Sequence, residues 1–442
     1  MLRDTYKYYV LGTLTSVYTV NSLDSGLMIL LLQPIKEELH LSDSQLGVLT
    51  GIAFALFYAT LGLPVARWAD RGNRATITSL AIGLWGLTIM ACLFVTNFVQ
   101  LICARVAAGV GESGCMPPTY SLLGDYFPEP AERTRAMTVY WLANPLAALI
   151  SFIAGGWLNE RYGWRMTFFL IGASGLLFAL LVKLTIKDPR ALGRHDSTPQ
   201  RKAQPLTQVV AFLWRQRSSR HLCAALILLY TMGAGLGAWY GALLIRSHGM
   251  GTAEVGLWLG LIFGSSGIAG IAVGGYVAVR WFANNASAQV RLSALMTAAV
   301  VPCFVLFLFL HSKIQALLVL IPLIMVFTFY LGPTFALLQR LVPDEMRATT
   351  LAIVMLLANL IGMGIGPEAV GILSDSLNAT LGVDSLRYAM LMMSLVGVWA
   401  AYHFWQAEHS IERDLMAIAR HSASANALPG AIEGGGDVCG QH

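Results

Sequence analysis

Charged residues are scarce in this chain: Asp, Glu, Lys and Arg together supply 12% of its 442 residues, against roughly a quarter in a soluble domain. With 56% hydrophobic residues and a mean hydropathy of +0.63, that scarcity excludes a water-soluble fold of this length. Cysteine is also sparse. Cys92, Cys103, Cys115, Cys223 and Cys303 lie in or beside apolar stretches and Cys439 near the end, none at metal-ligand spacing. Neither a metal nor a cofactor is expected. The chain lacks a Walker motif, a nucleotide-binding glycine loop and any His or Cys cluster, so it is not expected to be an enzyme. Its formal net charge of +5 comes without the interleaved basic and aromatic residues of a nucleic-acid surface, which excludes that partner.

What the chain has in abundance is long apolar runs. Twelve candidate spans cover approximately 8–32, 46–66, 76–96, 98–124, 136–158, 166–186, 219–246, 254–280, 290–310, 313–338, 347–373 and 386–408. Each approaches or exceeds the ~20 residues that cross a ~30 Å hydrocarbon core. The first runs straight into the polar turn Gln33–Lys36 without a small-residue cleavage site, and so reads as a retained helix. The expected organisation is an N-terminal six-helix bundle over 1–186, a linker over 187–218, a C-terminal six-helix bundle over 219–408 and a tail over 409–442. From about 421 the tail has no apolar period and is expected to be disordered in part.

Arginine and lysine placement orients the spans and decides nothing else about them. Arg67, Arg71 and Arg74 follow span two, Arg133 and Arg135 follow span four, and the linker carries Lys187, Arg190, Arg194, Arg201, Lys202, Arg215 and Arg217. The loop after span one is instead acidic, with Glu37, Glu38 and Asp43. By the positive-inside bias, both termini and the linker are expected on the cytoplasmic side of the membrane. Contact between the basic linker and anionic lipid is a further expectation.

The halves repeat. Pro118-Thr119-Tyr120-Ser121-Leu122-Leu123 ends span four, and Pro128 follows ten residues after Pro118. Pro333-Thr334-Phe335-Ala336-Leu337-Leu338 ends span ten, and Pro343 again follows after ten. Both prolines recur at an offset of 215 residues, as duplication of a six-helix unit predicts. The expected fold class is therefore all-α integral membrane: twelve transmembrane helices in two pseudo-symmetric six-helix bundles, a scaffold suited to alternating access.

The segment Gly62-Leu-Pro-Val-Ala-Arg67-Trp-Ala-Asp70-Arg71-Gly72-Asn-Arg74 resembles the cytoplasmic loop signature of the major facilitator superfamily. Within it, Asn21-Ser-Leu-Asp24, Leu41-Ser-Asp-Ser-Gln45-Leu-Gly47, Phe54-Ala-Leu-Phe57-Tyr58 and the run Arg105 to Pro118 are similar to Spinster-like transporters, over residues 1 to about 405. The resemblance, to a bacterial-type member, implies a multi-pass secondary transporter of a bacterial inner membrane, and some eukaryotic relatives export sphingosine-1-phosphate or lysophospholipids. It also implies that Asp70 latches the cytoplasmic side against the start of span eleven. Arg67, Asp70, Arg71 and Arg74, with Asp125 or Glu129 as partner of Arg74, are the expected cytoplasmic gate. The purely topogenic reading of this cluster stays open beside it.

Asp24 lies deep in span one with apolar sequence on both sides. A carboxylate there costs several kcal/mol unless paired, hydrated or protonated, which marks it as a coupling site, a substrate contact or a structural partner of Asn21 or a neighbouring helix. The resemblance implies proton coupling at Asp24 and functional roles for Glu112 and Arg105. Relatives commonly carry arginine after this aspartate where Ser25 stands here, which removes one neighbouring cation and weakens an anionic head-group preference. Arg105 and Glu112 are seven residues apart on nearly one helical face, ~10 Å along the axis, and are expected to find different partners. Glu368, following Gly362, Gly364, Gly366 and Pro367, is expected either to line the cavity or to meet water at its mouth. Asn21, Ser25, Tyr58, Tyr140, Asn144, Tyr230, Trp239, Tyr330 and Asn359 complete the candidate substrate cavity, although each of these alone is more often a packing residue.

The resulting expectation is a monomeric, proton-coupled secondary transporter moving an amphipathic, lipid-like substrate of lysophospholipid or sphingoid phosphate type. The alternative is a proton-coupled carrier of a small organic anion, sugar or drug-like polar solute.

Overall fold

A chain in hydrocarbon must satisfy its backbone polar groups internally, and uninterrupted apolar sequence does so as helix. The structure is a computed structural model that describes residues 2–53, 64, 68, 72–192, 205–282 and 285–426, and no strand occurs among them. In the first half the helices are α1 (Leu2–Asn21), α2 (Leu23–Leu39), α3 (Asp43–Thr50), α4 (Arg74–Ala91), α5 (Phe98–Ser113), α6 (Met116–Tyr126), α7 (Pro130–Trp141) and α8 (Ala143–Thr185). A short helix α9 (Leu206–Arg215) leads to α10 (Arg217–Gly237), α11 (Tyr240–His248), α12 (Thr252–Phe282), α13 (Ala286–Phe309), α14 (Lys313–Phe329) and α15 (Leu331–Arg340). The described residues end with α16 (Arg347–Leu357), α17 (Gly364–Leu381), α18 (Ser385–Ser394) and α19 (Val396–Asn426). Residues 427–442, to which most of the expected irregular tail belongs, lie outside the described residues.

Twelve crossings are distributed over these helices unevenly. Among the described residues, seven continuous helical runs are long and apolar enough to cross a membrane, and two of them, of 55 and 72 residues, have length for two crossings each. Span one is divided at Ser22 into α1 and α2, span four at Gly114 and Cys115 into α5 and α6, and much of span two falls outside the described residues. Inside α8 the chain turns at Gly163, with φ 78° and ψ 166°, separating the fifth crossing from the sixth. Only glycine adopts that conformation without steric cost. Between α16 and α17 the helix widens into a π-helical turn over Ala358–Met363. Such turns are frequent at functional sites.

The two ends of the molecule differ. At the terminal end Tyr6 donates to the carbonyl of Thr185 (2.7 Å), and the linker end joins the last helix through Arg217 to Gln406 (2.8 Å) and Ser218 to Asp414 (2.6 Å). At the opposite, distal end the halves press together along α3 against α17 and α8 against α12. A Cβ on Gly256 would sit 2.1 Å from the carbonyl oxygen of Phe152, and one on Gly47 2.6 Å from the Cα of Glu368. Glycine thus sets backbone-to-backbone contact across the pseudo-twofold, as small residues do between membrane helices.

Candidate functional site

The break at Ser22 places Asp24 in the first turn of α2, where the helix dipole favours a carboxylate. Asp24 is fully buried and Arg105, from the middle of α5, reaches it: the Arg105 Nη1 meets Asp24 Oδ2, and its Nε approaches the carbonyl of Leu49 at 3.5 Å. The cation next in sequence that Ser25 does not provide therefore comes from another helix. Ser25 itself is exposed.

Around this pair, several polar atoms have no protein partner. They are Asp24 Oδ1, both amide atoms of buried Asn21, and Glu112 Oε2 at the end of α5. Glu112 precedes the helix break at Gly114, beyond which Pro117 and Pro118 start α6. Sites of this kind need a proton, water or a bound polar group to offset desolvation.

Toward the terminal end, four aromatic rings converge. Tyr18 stacks on Tyr140 at 4.9 Å between centroids, Tyr120 meets Tyr140 at 5.6 Å, and Trp141 lies 6.0 Å from Tyr18. Trp141 is half exposed whereas Tyr140 is enclosed. Tyr18 and Tyr120 escaped the sequence reading, although Tyr120 occupies the aromatic position of the repeated Pro-Thr-aromatic segment, opposite Phe335. Asn144, one turn beyond this group, is exposed.

The second half is differently arranged. Half-buried Asn359, in the π-helical turn, donates to the Met355 carbonyl (2.9 Å), and the Tyr230 hydroxyl contacts the Met355 sulfur (3.8 Å). Tyr330 and Trp239 have no open surface: Tyr330 packs against Phe327 and Phe404, and Trp239 donates to the carbonyl of Pro367 (3.1 Å). In this conformation both serve the packing of the second bundle. Glu368 is half-buried, beside the α3–α17 crossing. Tyr58 lies outside the described residues.

At the distal end the halves are joined by charge. Arg246 of α11 grips Asp43 with both terminal nitrogens (2.8 and 2.7 Å) and donates from Nε to Gln33 (2.6 Å). Lys36 (2.5 Å) and Ser374 (2.6 Å) complete the shell around Asp43. Burial opposes ionisation of Asp43, but the bonds and charge of Arg246, with those of Lys36 and Ser374, lower its pKa to about 2. Two carboxylates then cap helix starts across the divide. Asp375 of α17 accepts the backbone N–H groups of Asp43 (3.0 Å) and Ser44 (2.7 Å) at the start of α3. Glu160 of α8 accepts the N–H of Ala253 (2.9 Å) at the start of α12, next to a bond from Asn159 to Thr252 (2.9 Å). Of these side chains, sequence marked Asp43 as part of an acidic loop and Gln33 and Lys36 as the bounds of a polar turn; Arg246, Ser374, Asp375, Glu160 and Asn159 were not singled out.

At the terminal end, Arg74 is fully buried and bonds to Asp125 (2.6 Å), to Ser121 (2.9 Å) and to Asp188 through Nη2 (2.5 Å), Nε (3.1 Å) and its backbone N–H (2.7 Å). Of the two partners expected for Arg74, Asp125 is the one engaged. Asp188, unforeseen, takes most of the contacts. Burial pushes the Asp188 carboxyl up, and the bonds from Arg74 and the Arg190 N–H bring it below the usual carboxylate range. Arg67, Asp70 and Arg71 lie outside the described residues.

With this geometry in place, comparison with known proteins is informative. The family model of the Major Facilitator Superfamily matches residues 14–367. An MFS-type efflux pump of Mycolicibacterium smegmatis is 33% identical over 417 residues, covering 92% of this chain and 94% of the pump. The sphingosine-1-phosphate transporter SPNS2 of Danio rerio is 23% identical, covering 89% of this chain and 82% of its own. A solved bacterial homolog of the human lysosomal transporter Spinster, in an inward-facing and unoccupied conformation, superimposes with a TM-score of 0.83 at 26% identity, covering 92% of this chain and 98% of that one.

Proposed function

Because the chain belongs to the Major Facilitator Superfamily, and is thereby a multi-pass membrane transporter, we propose that it moves an amphipathic, lipid-like substrate by proton-coupled alternating access. The observation that carries this reading is the buried Asp24–Arg105 pair with unpartnered Asp24 Oδ1, Asn21 and Glu112 Oε2 around it. Arg105 stabilises ionised Asp24, and protonation of Asp24 or Glu112 changes that balance. Such a change drives transport when the acid binds its proton more tightly in one orientation of the halves than in the other, by linkage.

The halves 1–186 and 219–408 rock about this site. With both termini cytoplasmic, as the arginine bias has it, the joined distal end is extracellular and the conformation is inward-facing. Asp43–Arg246 with the caps from Asp375 and Glu160 then form the outer gate, and Arg74 with Asp125 and Asp188 braces the first half at the cytoplasmic end. The half-exposed Trp141 beside Tyr18 and Tyr120 supports a cavity that takes an apolar tail beside a polar head.

Flux driven by a pH gradient into proteoliposomes, with lysophospholipids and sphingoid phosphates set against small organic anions and sugars, tests the reading. Proton-dependent lysolipid movement that Asp24→Asn abolishes is the expected result. Gradient-independent flux unchanged by Asp24→Asn sinks the coupling role. A second reading, extrusion of a drug-like solute, draws support from the efflux pump that resembles this chain over nearly its whole length; selective flux of such solutes over lysolipids would establish it.

A further inference from the structure

Helix α9 divides its surface into three sectors. Val209 and Leu213 are buried against Val342, with Phe212, Met346 and Ile353 packed around them. Leu206, Val210 and Trp214, spaced four residues apart, form a stripe open to the outside, Trp214 at 70% exposure. Gln208 and Arg215, both exposed, stand on the remaining side. At 3.6 residues per turn the two apolar sectors stand about 80° apart, and the polar side lies about 130–150° from each. A helix lying only on protein and in water needs two faces, one apolar and one polar. Three faces, two of them apolar and adjacent, fit a helix wedged where protein, membrane and water meet.

Its setting agrees. After Gln216 the chain enters α10, an apolar helix that crosses the membrane, so α9 sits at the membrane surface by covalent continuity. Arg215, Arg217 and Arg220 cluster at that junction, all exposed, and the Arg220 guanidinium lies 6.0 Å from the Trp214 ring centroid. Tryptophan beside arginine suits the head-group layer, and clustered arginines complement anionic lipid.

We infer that α9 is an in-plane membrane anchor whose Leu206, Val210 and Trp214 enter the acyl boundary of the leaflet at the terminal end, with Arg215 and Arg220 binding anionic head groups. Because the adjacent apolar face of α9 is held by Val342, Met346 and Ile353 at the junction of spans ten and eleven, the anchor ties the second half to that leaflet. The composition of the leaflet thereby acts on the second half, whatever substrate the protein carries.

Single cysteines replacing Leu206, Gln208, Val210 and Trp214, in full-length protein free of its native cysteines, carry spin labels in vesicles of equimolar phosphatidylcholine and phosphatidylglycerol. The ratio of oxygen to nickel-chelate accessibility is expected to be higher at 206, 210 and 214 than at 208. Equal ratios at all four positions overturn the anchor, because the stripe then faces water. Spin–spin broadening at 210 that vanishes on dilution with unlabelled protein also overturns it, by assigning the stripe to a second copy. Immersion of the 210 label is expected to decrease in phosphatidylcholine alone, and the variant Arg215→Gln/Arg220→Gln to lose this dependence; the same depth in both lipids overturns the anionic head-group contact.

Discussion

Glu160 and Asp375, 215 residues apart, do the same thing in opposite directions: each carboxylate leaves its own half to cap the first turn of a helix in the other, Ala253 in one case and Asp43 with Ser44 in the other. The offset is that of Pro118 and Pro333, so the two caps are repeat equivalents. Orphan N–H groups at a helix start and the dipole both favour a carboxylate there. A cap that spans the interface turns this local preference into adhesion between the halves.

Removing the caps is therefore expected to open the distal end. Glu160→Ala and Asp375→Ala should each cost about 0.5–2 kcal/mol of closure, the usual worth of an N-cap. Asp375→Ala should weigh more, since Asp375 also accepts from the Ser44 hydroxyl (2.5 Å). Distances between spin labels placed across the distal mouth of α3 and α17 measure the shift. Unchanged distance distributions in the double variant would show that glycine packing alone holds the end shut.

Arg246→Ala is expected to be worse than the loss of either cap, because it leaves Asp43 buried without its main partner; breaking one side of a buried pair costs about 3–5 kcal/mol. Asp43→Asn/Arg246→Gln should recover part of that loss. Thermal unfolding in detergent, together with the same distances, checks both statements. Equal stability of the single and double variants would contradict the coupling.

The pH dependence of this contact follows from the lowered pKa of Asp43. A depressed carboxylate contributes its stability above its unfolded pKa of about 3.9 and loses it as pH falls toward about 2. Between pH 5 and 8 the Asp43–Arg246 pair is thus charged throughout. Any conformational change in that window should persist in Asp43→Asn/Arg246→Gln and disappear in Asp24→Asn/Glu112→Gln, followed by distal-mouth distances over that range.

Arg105→Gln is expected to lower stability by several kcal/mol, since it strands buried Asp24. Asp24→Asn/Arg105→Gln should fold better than Arg105→Gln yet transport without response to a pH gradient. Melting temperature separates the first effect, and proteoliposome flux the second. Proton-driven flux retained in the double variant would move the coupling site elsewhere.

Asp188→Asn should destabilise the first half more than Asp125→Asn. Asp188 accepts from Arg74 at three nitrogens and from the Arg190 N–H (3.0 Å), whereas Asp125 is a third exposed and holds Arg74 by one contact. Thermal unfolding of both variants checks the order.

Residue type and spacing alone carried the membrane class, the number of crossings, the duplication at 215 residues and the burial of Asp24, because hydrocarbon tolerates only helices and makes any buried charge conspicuous. Which charge answers another depends on helix packing, and sequence distance conceals it. Arg105 is 81 residues from Asp24, Asp188 is 114 from Arg74 and Arg246 is 203 from Asp43. Glu160 and Asp375 carry no motif and were not named from sequence. Trp239 and Tyr330 looked like cavity residues, until packing against Pro367, Phe327 and Phe404 enclosed them. Tertiary structure decided these pairings because a carboxylate acquires its role from the donors that a fold brings within hydrogen-bond reach: Asp24 finds Arg105 inside its own half, whereas Asp43, Glu160 and Asp375 find donors in the other.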